Sequence, residues 1–243
     1  MKLKDSLILI VLLLAGWQLL YLTVGDVALR SPAATVQNLN TLLADARFLP
    51  HVRETGLAFA QGFAIAVVVG LLIGVPLGAA RFAGEVAEPI LVALYSIPKV
   101  TLYPVILLIF GIGMPAKVAF GAIHGIVPIS IFALNAVRNI NPTYLRTARV
   151  MRISSWELAW KILIPATLPE IVTGIRMGFS LALIGTLLGE MFGSQHGLGH
   201  LLMQAMSLHN IERILALTLL IVVFAAGINA LLLALDRRLH ARA

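Results

Sequence analysis

NPTYLRTARVMRISSWELAWKILIPATLP, residues 141–169, is a polar and basic stretch set between two long apolar runs. It places Arg146, Arg149, Arg152 and Lys161 among apolar residues. Asn141-Pro142 is a helix-start signal, Ile153-Ser154-Ser155 supplies a break with a new N-cap, and Trp156 to Ile164 reads as a second short helix ended by Pro165. Two short helices joined by a tight bend make a compact knob. Such a knob either docks on a partner or lies on the membrane surface with its arginines against anionic lipid.

Outward from this stretch the chain is apolar. Sixty per cent of the 243 residues are hydrophobic and 12% are charged, where a soluble domain carries about 25% charged residues. The mean hydropathy is +0.97, and the composition is that of a membrane protein. Ser6 to Gly25, Thr55 to Ala80, Val118 to Val137 and Ile214 to Leu235 contain no Asp, Glu, Lys or Arg. Each is long enough to cross ~30 Å of hydrocarbon as a helix. Pro89 to Gly113 holds one charge, Lys99, while Ile171 to Gly193 holds Arg176 near its start and Glu190 near its end. The expected fold is all-α and polytopic, with about six transmembrane helices.

Orientation follows from Lys and Arg. With the N-terminus in the cytoplasm, Lys2, Lys4, Arg81, Arg138, Arg146, Arg149, Arg152, Lys161, Arg176, Arg237, Arg238 and Arg242 fall on the inner side, out of 18 basic residues. Arg30, Arg47, Arg53, Lys117 and Arg213 fall outside. The positive-inside rule places both termini in the cytoplasm. The net charge of +7 tracks the helix ends, so it reports membrane orientation and no nucleic-acid partner is expected. The first span follows Lys2 and Lys4 as a signal peptide would, but its uncharged core exceeds the usual length and no convincing A-x-A site follows, so it reads as a retained anchor. The chain has no cysteine, which removes disulfides, thiol catalysis and Cys-ligated metals together.

The layout is then a first helix over 1–25, an outside segment over 26–54, and a core over 55–238 with spans near 57–80, 89–113, 116–137, 171–193 and 213–235. The basic loop occupies 140–165. Within 26–54, Thr35 to Ala46 fits a short amphipathic surface helix, with Ser31-Pro32 as its start signal. Gly70, Gly74 and Gly78, and likewise Gly185, Gly189 and Gly193, recur every four residues. That spacing lays a smooth strip along a helix and lets another backbone approach closely. They are read as packing strips, with a dimer or gate interface as the alternative. Pro98, Pro104 and Pro128 each remove a backbone donor, which suits helices bordering a cavity.

No G-x-x-x-x-G-K-[ST] loop, H-E-x-x-H motif, nucleophile elbow or spaced carboxylate set occurs. The chain is therefore not expected to be an enzyme. His196 and His200 flank Gly197-Leu198-Gly199, a turn signal, so no metal site is expected there. The polar residues inside the spans are Lys99, His124, Asn135, Glu190 and Asn229. A charge at the bilayer centre costs about 2.5–3.5 kcal/mol, so Lys99 faces protein or water. It either snorkels and bonds carbonyls freed by Pro98 and Pro104, or stands beside an anionic solute. Tyr95, Ser96, Lys99, His124 and Glu190 are the translocation-path candidates, His124 and Glu190 having structural roles as the alternative.

The run LRTARVMRISSWELAWKILIPATLP resembles the cytoplasmic "EAA" loop of binding-protein-dependent ABC importer permeases of the type I transmembrane fold. Its pattern is roughly E-A-A-x-x-x-G followed by an apolar stretch and L-P. Ala148 matches the second alanine and Ile164-Pro165 the closing pair. Arg146 stands where that family usually has Glu, and Arg152 where it has Gly. SIPKVTLYPVILLIFGIG (96–113), GLLIGVPLGAA (70–80), LPEIVTGIRMGFSLAL (168–183) and the GLG at 197–199 are similar to the nitrate/sulfonate/taurine branch. The resemblance runs from about Pro32 to the C-terminus.

What the resemblance implies is a multi-pass permease of the bacterial inner membrane that carries a small organic or inorganic anion. It implies a second permease subunit (a homodimer), two cytoplasmic ATP-binding subunits holding ATP and Mg, and a periplasmic solute-binding protein; no cofactor is expected in this chain. The loop becomes the coupling helix, with Arg146, Thr147, Ala148, Arg149, Met151, Arg152, Ile153, Ser154 and Trp156 as the ATPase-coupling residues. Two other classes remain open: an ion-coupled secondary transporter with His124 or Glu190 as a proton relay, and a scaffold whose basic loop recruits a soluble partner.

Overall fold

A computed structural model describes residues 3–240 apart from Val27. Lys2 and Arg242, and the side chains of Arg149 and Arg238, all used in the sequence reading, lie outside the described residues. The described chain is helical throughout. Helix α1 (Leu3–Val24) is followed by α2 (Pro32–Ala44), α3 (Leu49–Ala79), α4 (Arg81–Ser96), a 3₁₀ turn (Lys99–Leu102) and α5 (Tyr103–Phe110). Then come α6 (Met114–Arg138), α7 (Pro142–Val150), α8 (Ser155–Leu158), α9 (Ile164–Gly193), α10 (Leu198–Ser207) and α11 (Ile211–His240). Five helices are long and apolar enough to cross a membrane, or six if α4 and α5 are one broken span.

That broken span departs from the sequence expectation of a single helix over 89–113. α4 and the segment Lys99–Phe110 meet at 84°. The cause is local: Pro98 and Pro104 lack the N–H groups that would carry an α-helix across residues 97–104, and a 3₁₀ turn fills the interval. A second departure concerns Pro165, which does not end a helix. It sits in the first turn of α9, next to a widened turn that loosens the ladder where its N–H is missing. Just before it, Ala159–Leu163 widens into a π-turn, with the Ile164 N–H donating to the Ala159 carbonyl. Helical backbone therefore runs from Trp156 to Gly193.

The core is a bundle of α3, α6 and α9, and small residues explain its closeness. Ala58, Gly62, Ala66, Gly70, Gly74 and Gly78 are all buried along one side of α3. A Cβ on Gly70 would lie 2.7 Å from the Ile129 side chain, and one on Gly74 would strike the Ser130 carbonyl oxygen. On α9, a Cβ on Gly185 would stand 2.7 Å from His124 Nδ1, and one on Gly189 2.9 Å from Lys117 Cα. The four-residue strips thus meet α6 within the chain, except at Gly193, which packs on Tyr103 and Leu107 of α5. Lipid offers no hydrophobic drive between helices, so this close van der Waals contact is what holds them. Phe59, Phe63 and Phe179 fill the α3–α9 seam, with two edge-to-face contacts at 5.1 and 5.7 Å between centroids.

The path of the chain sorts the ends. α3 begins beside the start of α6 and the end of α9, through Glu54, Lys117 and Glu190. The far end of α6 is tied to the middle of α4 by Arg138–Glu88 at 2.7 Å, and α9 is tied to the end of α11 by Arg176–Asp236 at 3.0 Å. The basic loop and the described end of α11 therefore share one face, and α2, α10 and the start of α11 share the other. α2 carries the expected start signal, Ser31 Oγ accepting from the Ala34 N–H at 3.2 Å. It ends at Ala44, two residues before the sequence reading places it.

Candidate functional site

The knob is α7, a four-residue bend and α8. Asn141 Oδ1 accepts from the Thr143 N–H at 2.9 Å, capping α7 ahead of Pro142. After the bend, Ser154 and Glu157 form a reciprocal capping box. Glu157 N–H donates to Ser154 Oγ at 3.2 Å, and the Glu157 carboxylate accepts from Ser154 N–H at 3.4 Å. Lys161 Nζ holds the other carboxylate oxygen at 2.7 Å. The S-x-x-E signature at 154–157 was available in the sequence as a helix start.

The bend itself turns on Arg152, whose φ of +49° puts a side-chain-bearing residue in the left-handed region. Such a residue costs roughly 1–2 kcal/mol there, which glycine avoids. This is the position where the resembled loop pattern has Gly. Ala148 is buried at 3% exposure, and its carbonyl accepts from the Ile153 N–H at 3.3 Å. Val150 (83%), Met151 (68%) and Trp156 (70%) stand out from the knob, with Arg146, Thr147 and Arg152 also exposed. An apolar tip ringed by cations, raised on two capped helices, can seat in a groove of a partner with acidic margins.

The translocation-path candidates fall in two places: Tyr95, Ser96 and Lys99, with His124 inside the electrostatic reach of Lys99, and Glu190 apart from them. Tyr95 and Ser96 are exposed at the end of α4, and Lys99 opens the 3₁₀ turn at the break. Lys99 Nζ donates to the Tyr95 carbonyl at 3.2 Å and lies 5.2 Å from the Tyr95 ring centroid. His124 is 8% exposed, with Nδ1 2.8 Å from the Phe120 carbonyl and its ring against Phe120 at 4.7 Å. It is an interior histidine held through Nδ1 by a backbone carbonyl of its own helix. Glu190 lies at the far end of α9, with partners from α3, α6 and α10.

That far end holds a clasp built on Lys117, a residue the sequence reading counted only as an outside charge. Lys117 is fully buried, and its three N–H bonds reach Glu54 Oε1 at 3.0 Å, Ser194 Oγ at 3.1 Å and the His196 carbonyl at 3.2 Å. Glu190, also fully buried, lies 3.7 Å from the ammonium. It accepts from Thr55 Oγ1 at 2.8 Å and from the Gly199 N–H at 2.9 Å. Thr55 Oγ1 in turn accepts from the Leu198 N–H at 2.8 Å. Glu54 sits 63 residues from Lys117 in sequence and Glu190 73 further on, so no local spacing signals the cluster. Among the described residues, no group of three or more His, Asp or Glu is placed to hold a metal ion.

Residues 66–243 match the family model described as binding-protein-dependent transport system inner membrane component. The nitrate import permease of Leptolyngbya laminosa is 30% identical over 171 residues, 67% of this chain and 61% of that protein. The putative aliphatic sulfonates transport permease of Bacillus subtilis is 25% identical over 236 residues, 96% of this chain and 86% of its own length. Among solved structures, an inward-facing form of the MetNI methionine ABC transporter shares the fold. It has a TM-score of 0.66 at 20% identity, covering 81% of this chain and 99% of that one.

Proposed function

The chain belongs to the family of binding-protein-dependent transport system inner membrane components, and from that premise we propose that it is the permease subunit of an ABC importer for a small anion. The observation that carries this is the raised knob at 142–158, whose exposed Val150, Met151 and Trp156 sit among Arg146 and Arg152. Two separate ATP-binding subunits, holding ATP and Mg, grip that knob on the cytoplasmic face. Their closure drags α7 and α8, and α9, continuous with α8 through the π-turn, carries the displacement into the bundle. A second copy of this chain completes the pathway, and a periplasmic solute-binding protein delivers the solute to the opposite face. The bacterial inner membrane is the setting.

The anionic solute is supported by relatives named for nitrate and aliphatic sulfonates and by the cation at the α4–α5 break. Lys99 there is only partly buried and has no carboxylate partner among the described residues, so it is free to favour an anion passing Tyr95 and Ser96. A secondary transporter is less well supported, because His124 and Glu190 are both engaged in hydrogen bonds inside the chain.

Two substitutions at one residue test the coupling reading. Arg152→Glu reverses the charge at the bend and is expected to cut co-purification of the ATPase at least tenfold and to abolish import. Arg152→Gly keeps the left-handed backbone without the cation and is expected to give intermediate retention. Unchanged co-purification and transport in Arg152→Glu would sink the assignment.

A further inference from the structure

On the face opposite the knob, a cavity of about 630 Å³ opens between α2, the 45–48 corner, α10 and the start of α11. Its wall is polar, with Asn38, Gln195, Gln204 and Asn210 beside three histidines, and its volume is in the range of small-molecule sites. The charges in it are unequally satisfied. Asp45 is held by Arg47 through bonds of 3.2 and 3.1 Å, and that bond keeps its carboxyl below the usual range. Glu212 is held at 2.8 Å by Arg30, which also pairs with Asp26 at 2.7 Å. Arg213, also in the wall, has no ion pair among the described residues, and its Nε is buried with no hydrogen-bond partner.

The histidines add donors. His51 Nδ1 accepts from the Gly197 N–H at 3.0 Å, so in the neutral ring Nε2 carries the proton and can donate but not ligate. His200 stacks on His51 at 6.4 Å and 5°, and His196 lies 5.8 Å away on its other contact. Both acids have an arginine partner while the Arg213 guanidinium has no ion pair among the described residues, so the cavity offers one unpaired cation beside a set of N–H donors.

We propose that this cavity is a binding site for a small organic anion, a carboxylate or sulfonate, whose head group pairs with Arg213 and whose body lies along Gln204 and Asn38. The site stands apart from the Tyr95–Lys99 break. Its position outside the membrane rests on the orientation adopted above, but binding itself does not. The same chemistry could be offered by an acidic side chain of a docking protein, and the test separates the two sources.

Purified chain in nanodiscs, with no binding protein and no nucleotide, is titrated calorimetrically with ethanesulfonate and with glutarate. Saturable binding of at least one is expected, weakened about tenfold or more in Arg213→Gln and measurably in Gln204→Leu, a variant that touches no ion pair. Binding should persist in Arg152→Glu, so unchanged import in that variant would count against the coupling reading and leave this site standing. Absence of binding to the wild-type chain, or wild-type affinity in both cavity variants, would overturn the proposal. So would an Arg213→Gln defect seen only in association with a binding protein, which assigns the cavity to a protein carboxylate.

Discussion

At the scale of single residues, Glu190 carries a larger part of the structure than its place at the end of an apolar span suggests. A buried ammonium is tolerated only when its donors and its charge are both answered. Lys117 spends all three N–H bonds on Glu54, Ser194 and His196, and Glu190 supplies the second negative charge. Gly197 shows how tightly the carboxylate is enclosed. Its φ is +118°, and a Cβ there would collide with the Glu190 carboxyl group. Replacing Glu190 by Ala removes that charge and strands the Gly199 N–H, while the Thr55 hydroxyl is left with the His51 carbonyl at 3.2 Å. Lys117 keeps Glu54, so the expected cost is about 1–3 kcal/mol, the usual penalty for a buried donor left without its partner. Glu85, paired with Arg81 at a site where the two side chains are 57% and 91% exposed, gives the contrast. Glu85→Ala should change stability by about 0.5 kcal/mol or less. Thermal unfolding of both variants in one detergent reads the difference, and similar midpoints would show that the clasp is not a stabilising contact.

At the scale of elements, glycine spacing was the most legible feature of the chain. A small residue every fourth position can be read without coordinates, and in the structure the strip continues upstream through Ala66, Gly62 and Ala58. The knob was legible for the same reason, since Asn141-Pro142 and Ser154-x-x-Glu157 are local signals. The α4–α5 break was only half legible: Pro98 and Pro104 mark a weak point, but the 84° angle depends on the 3₁₀ turn between them and on the packing of Tyr103 against Phe120 at 5.1 Å. Pro165 misled because a proline can equally open a helix, and the π-turn that prepares for it has no simple sequence mark. The strip makes a quantitative expectation. Gly74→Val forces α3 away from the Ser130 carbonyl and should cost about 3 kcal/mol or more. Gly227→Ala on α11 meets nothing within 4 Å and should be neutral or stabilising by about 0.5–1 kcal/mol. Unfolding temperatures that do not separate the two would mean the helices are not held by backbone proximity.

At the scale of the whole molecule, the two ends of the bundle are built for different work. One end is locked by the Lys117 clasp, while the other ends in a knob whose apolar tip is exposed and whose bend stores left-handed strain at Arg152. A force applied at the knob is transmitted along α9, because helical backbone is unbroken from Trp156 to Gly193. The clasp keeps the far end of that helix registered to α3 and α6. This division has meaning for transport only if the knob faces the cytoplasm, which the distribution of Lys and Arg argues but geometry alone does not. The chain has no cysteine, so orientation can be read with single introduced thiols. Thr147 on the knob and Gln195 at the opposite end are both exposed. In intact spheroplasts, Gln195→Cys should react with a membrane-impermeant maleimide while Thr147→Cys reacts only after permeabilisation. The reverse pattern would invert the molecule and remove the ATPase from the knob, and labelling of both sites in sealed cells would mean that the knob and the clasp do not lie on opposite sides of the bilayer.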